Sequence, residues 1–226
     1  MSLFGESAAT FLLRLAVFAL GLLCLEFLYL GLEFKGLNSA EAMDMAQEAR
    51  RFAAGQPFQT DNIHPLGIWL LKEKGKDALL ENHPDMVNPP LYPALLGAWL
   101  KIWSPRYDMA PVEKEYRVFD GDLAAGVLGT LGFLAGLLLL YVWVAQMADP
   151  KVGTVVFALC AFSNLLWQWA ISGTAWGLLF LLTVALGYLV FLRLRSPGAG
   201  GWFLAMAIGA VIGLGFLTRY AYALFL

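Results

Sequence analysis

The 70 residues from Leu123 to Leu192 contain only two charged side chains, Asp149 and Lys151. A run this long and this apolar has no soluble solution. One helix needs about 20 residues to cross a hydrocarbon layer roughly 30 Å thick, and this stretch holds three such lengths end to end. Over the whole chain 60% of residues are apolar and 14% charged, where a soluble domain carries about 45–50% and about 25%. That balance excludes a soluble enzyme, a nucleic-acid-binding domain and a disordered chain. Hydropathy predicts spans over 11–32, 123–148, 152–171 and 173–192, and a fifth that starts at Gly201 and is still apolar at Leu226. The expected architecture is an all-α polytopic membrane protein, with about five transmembrane helices in a single membrane domain over 1–226.

The first apolar run is too long for a signal-peptide core and has no small-residue cleavage site close behind it, so it reads as an uncleaved signal anchor. Because no polar tail follows Leu226, the expectation is the amino-terminal part of a longer chain. Cys24 and Cys160 lie inside apolar runs, where a thiol behaves as a small hydrophobe, and they indicate neither a disulfide framework nor a metal knuckle.

The titratable residues are concentrated in one place. Residues 33–122 hold 10 of the 15 Lys and Arg, 14 of the 17 Asp and Glu, and both histidines. Sidedness is read from short loops, since long ones cross a membrane largely regardless of charge. The loop after the fourth run carries Arg193 and Arg195 and no acid, which puts it in the cytoplasm and segment 33–122 outside, across the plasma (inner) membrane if the source is bacterial. On this count Trp167 and Trp169 fall in an outer aromatic belt. Gly132 with Gly136, and Gly209 with Gly213, have the spacing that lets helices approach closely.

The outward segment has helical pattern of its own. Over 39–54, Ala42, Met45, Ala46, Ala49, Phe52 and Ala53 recur at helical spacing, with Glu41, Asp44, Glu48 and Arg51 opposite them, which predicts an amphipathic helix lying on the membrane, its apolar face on the bilayer or the bundle and Glu41 and Asp44 toward an aqueous cleft. Asn38 or Ser39 can cap its start, and Gly55 can end it. Further short helices are expected over 63–78 and 91–103, the latter too short to span. Eight of the ten prolines fall in this segment, as in a chain of turns between short helices.

Taken in order, these residues resemble the GT-C superfamily of membrane glycosyltransferases, in its protein mannosyltransferase and aminoarabinose-transferase branch. The resemblance spans the whole chain as the amino-terminal part of such an enzyme. It rests on a first span, an acidic residue opening a surface helix, Ala46-Gln-Glu-Ala-Arg50 running on to Gly55-Gln-Pro-Phe58-Gln-Thr60, then Asn88-Pro-Pro-Leu-Tyr-Pro93, and finally Leu217-Thr-Arg219-Tyr220. Three positions depart from the family pattern. Glu41 stands where family members usually have Asp, Asn88 stands where a basic residue or His often precedes Pro-Pro, and no second acid appears around Ser172-Gly173-Thr174.

What the resemblance implies is transfer of a sugar from a polyprenyl phosphate to an acceptor at the outer face, with inversion. The partners are then membrane lipid and a polyprenyl-phosphate sugar, with the acceptor unnamed and no nucleic acid. It calls for no cofactor beyond the lipid-linked donor as substrate, and a divalent metal stays open. Such chemistry needs a carboxylate to take the acceptor's proton and a cation to hold the departing phosphate. Glu41 is the candidate base, with Asp44 one turn along in reserve, although Glu41 could equally form a capping box with Asn38. Asp44 and Glu48 should repel across the same face. Arg219 is the candidate phosphate clamp. An arginine inside an apolar helix costs about 2.5–3.5 kcal/mol at the midplane, and 18 residues beyond Gly201 it should lie about 27 Å along that helix, near the outer interface. The alternative is an arginine snorkelling at a helix end.

Arg50, Asn88 and Tyr92, inside the matched motifs, are further candidates for contact with lipid phosphate or sugar. Against them, Arg50 and Arg51 also fit ordinary solvated charge, and Tyr92, Trp99 and Trp103 are spaced as an interfacial anchor or a sugar-stacking platform. His64, His83, Asp61 and Asp85 match no metal-ligand spacing. Two competing functions remain. One is a transporter or flippase, for which neither repeated halves nor broken-helix sites are evident. The other is a non-catalytic scaffold of the same fold.

Overall fold

A computed structural model describes residues 8–56, 58–61, 63, 65–75, 83–85, 87–106, 118–195 and 201–225. The architecture is all-α and polytopic. Among the described residues four helices are long and apolar enough to cross a membrane, or five if one bent pair is a single span. They are α1 (Ala8–Leu28, continued by a π-helical turn at Tyr29–Glu33), α5 (Asp120–Met147), α8 (Trp176–Arg195) and α9 (Gly201–Thr218). The bent pair is α6 (Pro150–Ala161) with α7 (Asn164–Ile171).

That bend corrects the expected continuous span over 152–171. The chain turns by 61° at Phe162-Ser163. Hydropathy is blind to the break because apolar side chains fill it. Trp167 is wholly buried, stacks on Tyr29 at 4.8 Å between ring centroids, and its indole N–H donates to the Ala161 carbonyl at 2.7 Å. The carbonyl freed at the end of α6 is thereby satisfied inside the protein. Trp167 is accordingly a core plug and not part of an aromatic belt. Trp169 is half-exposed and stacks on Trp176.

Helix starts follow local chemistry. Asp149 accepts hydrogen bonds from the amides of Lys151 and Val152, with Pro150 at the first helical position of α6. Ser39 caps α2 (Ala40–Ala53), its hydroxyl accepting from the Ala42 amide at 3.2 Å. Helix α3 covers Pro65–Glu73 and gives way to a turn with Gly75 at positive φ, inside the expected 63–78; residues 76–78 lie outside the described residues. Helix α4 covers Leu91–Trp103, as the spacing predicts. A two-residue antiparallel pair, β1 (Gln59–Thr60) with β2 (His83–Pro84), ties the segment back on itself.

Two packed clusters organise the bundle. One joins Leu22 of α1 and Phe133, Leu137 and Tyr141 of α5 to Phe157 and Trp167. The other joins Met45 and Ala49 of α2, Tyr92 and Leu96 of α4, and Ala124, Ala175 and Tyr222. Of the two places expected for the apolar face of α2, the bilayer or the bundle, it takes the bundle: α4 covers that face, so closely that a Cβ on Gly97 would meet the Ala49 carbonyl and the Phe52 ring. Trp99 corrects the interfacial-anchor reading, since its indole N–H donates to the Ala124 carbonyl at 3.0 Å and docks α4 on α5. The segment after α1, the start of α5, the α7–α8 turn and the end of α9 all gather at one end of the bundle. There the Leu37 amide donates to Asp122 and the Tyr92 hydroxyl to the Gly173 carbonyl. The end of α8 and the start of α9 meet at the other end, where Arg193 abuts Gly201.

Candidate functional site

At the polar end a cavity of about 390 Å³ lies between α2, the 87–89 strand of loop, the α7–α8 turn and the end of α9. Its lining includes Glu41, Asp44, Asn88, Ala175, Thr218 and Arg219. Four of the six residues singled out from sequence therefore share one space, although Glu41 and Arg219 are 178 positions apart. Glu41 Oε1 is 3.7 Å from Arg219 Nη1, with each side chain about 40% exposed. At that length and exposure the pair is weak.

Local structure explains why Glu41 points there. The capping-box reading needs the acid three residues after the cap. With Ser39 as cap, that place falls to Ala42, and Glu41 is one residue too early to close the box. Its carboxylate still benefits from the helix N-terminus, but it turns toward Arg219. Arg219, expected within a continuing helix, stands just past it: α9 ends at Thr218, and a 3₁₀ turn (Tyr220–Phe225) follows. The guanidinium lies over the Trp176 ring, 4.7 Å from its centroid, a cation–π contact.

The polar face of α2 is not the solvated stripe its pattern suggests. Asp44 is 7% exposed and Glu48 only 2%, because the segment around Asn88 folds across them. The Asn88 amide nitrogen donates to Glu48 Oε1 at 3.3 Å and to Asp85 Oδ2 at 2.8 Å. Glu48 Oε2 has no hydrogen-bond partner among the described residues.

The other sequence candidates fall elsewhere. Arg50 lines a separate cavity of about 490 Å³ with Lys101 and Ser104, on the far side of α2. Arg51 is paired with Asp61 and Gln59, stapling α2 to β1. Tyr92 is buried and bonded to Gly173, and burial pushes its phenol well above the ordinary range. It is a clasp between α4 and the α7–α8 turn, with no ring face open to a sugar. Among the described residues no group of three His, Cys, Asp or Glu converges as metal ligands. Asp85 is occupied by the Val87 and Asn88 amides, and His64 lies outside the described residues.

Two features escaped the sequence reading. Glu26, inside α1, is buried and accepts from the Thr130 hydroxyl at 2.7 Å; a lone acid within an apolar run was the signal for it. An apolar cavity of about 200 Å³ opens between α7 and α8, lined by Phe133, Trp169, Trp176 and Phe180. Trp176 stands beside both spaces, since it walls the apolar cavity and carries Arg219 of the polar one.

No known family model matches the chain, and no curated protein or solved structure is significantly similar to it.

Proposed function

We propose that this multi-pass membrane protein takes part in glycosyl transfer from a polyprenyl-phosphate donor, in the manner of the GT-C enzymes it resembles. The meeting of Glu41 and Arg219 in one cavity carries the reading. Transfer with inversion needs a base and a phosphate-holding cation on either side of one sugar carbon, and proximity of that kind supplies much of the rate. Glu41 takes the acceptor's proton, with Asp44 beside it, and Arg219 holds the phosphate. The apolar cavity beyond Trp176 suits a hydrocarbon tail attached to a head group at Arg219. On this reading the site faces the outer side of the membrane, by the Arg193 and Arg195 count.

The broken span α6–α7 favours a second reading, a lipid transporter, because interrupted helices often mark transport sites. The break here is filled by the Trp167 indole and apolar neighbours and opens no polar site, so transfer is the better account.

The test is turnover of a polyprenyl-phosphate hexose by the full-length protein in lipid nanodiscs. Glu41→Gln keeps size and removes the base, and should lower the rate on the order of 10²–10⁴-fold. Arg219→Ala should weaken donor binding as well as turnover. Near-normal transfer by Glu41→Gln would move the base to Asp44. Near-normal transfer by the Glu41→Gln, Asp44→Asn double variant would end the catalytic reading of α2.

A further inference from the structure

We propose that Asn88 is locked as a hydrogen-bond acceptor by Glu48 and Asp85, and that the cavity it lines thereby selects a ligand with carbohydrate hydroxyls. This rests on the glycosyl-transfer reading and names what the site recognises besides phosphate.

The argument begins with the amide. Asn88 has one edge that donates and one that accepts, and either could face a ligand. Its nitrogen stands 3.3 Å from Glu48 Oε1 and 2.8 Å from Asp85 Oδ2. Ionised carboxylates only accept, so a reversed amide would set its oxygen against two carboxylate oxygens. Both amide hydrogens are therefore committed. Asp85 is itself fixed, because its other oxygen accepts from the backbone amides of Val87 and Asn88. Glu48 is held within α2 and buried among its neighbours.

Neither carboxylate is among the described residues that line the cavity, whereas Asn88 is. Both amide hydrogens are spent on carboxylates outside that lining, so Oδ1 is the side-chain atom Asn88 has left to offer the cavity. An amide at position 48 would be far cheaper to bury than a carboxylate, but it could bond Asn88 in either sense. The carboxylate forbids the flip. With Glu41, Asp44 and Asn88 Oδ1 all accepting, and Arg219 the cation among them, the cavity suits one anionic group surrounded by hydroxyl donors. Glu48 and Asp85 are then positioning residues, acting through Asn88.

The experiment measures binding of polyprenyl monophosphate and of its hexosyl ester to the full-length protein in nanodiscs, together with competition by soluble methyl hexopyranoside. The wild type should prefer the hexosyl ester. Asn88→Ala should reduce that preference about three- to tenfold, the worth of one uncharged hydrogen bond. The double variant Glu48→Gln, Asp85→Asn keeps the shape, frees the amide to flip, and should lose the same preference. General damage to the fold would weaken both lipids alike and leave their ratio unmoved. If methyl hexopyranoside competes with the wild type but not with Asn88→Ala, the hydroxyl belongs to the acceptor sugar rather than to the donor, and the selection stands. A wild type that binds both lipids, with the ratio unchanged and the response to methyl hexopyranoside unchanged in both variants, overturns this inference and leaves the function intact. A wild type that binds none of the probes overturns both.

Discussion

Helices α5 and α9 look alike as strings, both apolar and both with glycines four residues apart, yet they are used in opposite ways. On α5, Gly132 and Gly136 lie against the α8 backbone and the Phe180 ring, and a Cβ on Gly177 of α8 would strike the Gly129 backbone, while one on Gly129 would strike the Ala170 carbonyl of α7. On α9, a Cβ on Gly209 or Gly213 would meet nothing within 4 Å. Half of the α5 span is buried, against 17% of α9. Glycine spacing thus says that a helix can be approached, and a complementary glycine across the seam decides whether it is. The consequence for the site is direct. The glycine seam fixes the start of α8, including Ala175 and Trp176, and α9 brings Arg219 to that fixed wall.

The sharpest way to break this comparison is Gly177→Leu. Its neighbours are the backbone of Gly129, which cannot swing aside, so the loss should exceed about 3 kcal/mol and be read as failure to hold a folded bundle in reversible unfolding from detergent. A milder break is Tyr92→Phe, which strips the Gly173 carbonyl of its donor at the head of the seam and should cost about 1–3 kcal/mol. Because burial raises the folded phenol's pKa, the wild type binds that proton more tightly when folded. Its stability should be complete below the ordinary phenol value of about 10 and fall as pH rises beyond it, and Tyr92→Phe should abolish that alkaline loss in pH-dependent unfolding. Away from the seam, Ser39→Ala removes the α2 cap and should cost about 1 kcal/mol, seen as faster amide exchange over Ala40–Met43. The smallest effect sharpens the contrast: Gly209→Ala with Gly213→Ala should leave unfolding within about 1 kcal/mol of wild type, or slightly stabilise it. A loss as large as that of Gly177→Leu would mean that α9 is packed as tightly as α5.

The site shows where a sequence can be read and where it cannot. Arg219 was legible because a cation in an apolar run is expensive, and expense signals a reason. Glu41 was legible as an acid opening a helix, but the choice of cap between Asn38 and Ser39 stayed open, since the two are chemically equivalent caps and only backbone geometry separates them. Glu48 was legible only as a polar-face acid set to repel Asp44. Its burial depends on the Asn88 segment crossing α2, a contact between residues 40 positions apart that no helical period contains.

Composition and hydropathy by themselves determined the all-α polytopic class, the places of the long helices and the gathering of polar residues into one segment, because the cost of burying charge in hydrocarbon acts on each residue separately. The 61° break within α6–α7, the turning of Tyr92 and Trp167 into the core, the choice of one glycine pair over another and the meeting of Glu41 with Arg219 were decided only by tertiary structure. Each depends on which surfaces arrive opposite one another, and a pairwise fit between distant residues leaves no mark on the local pattern of either.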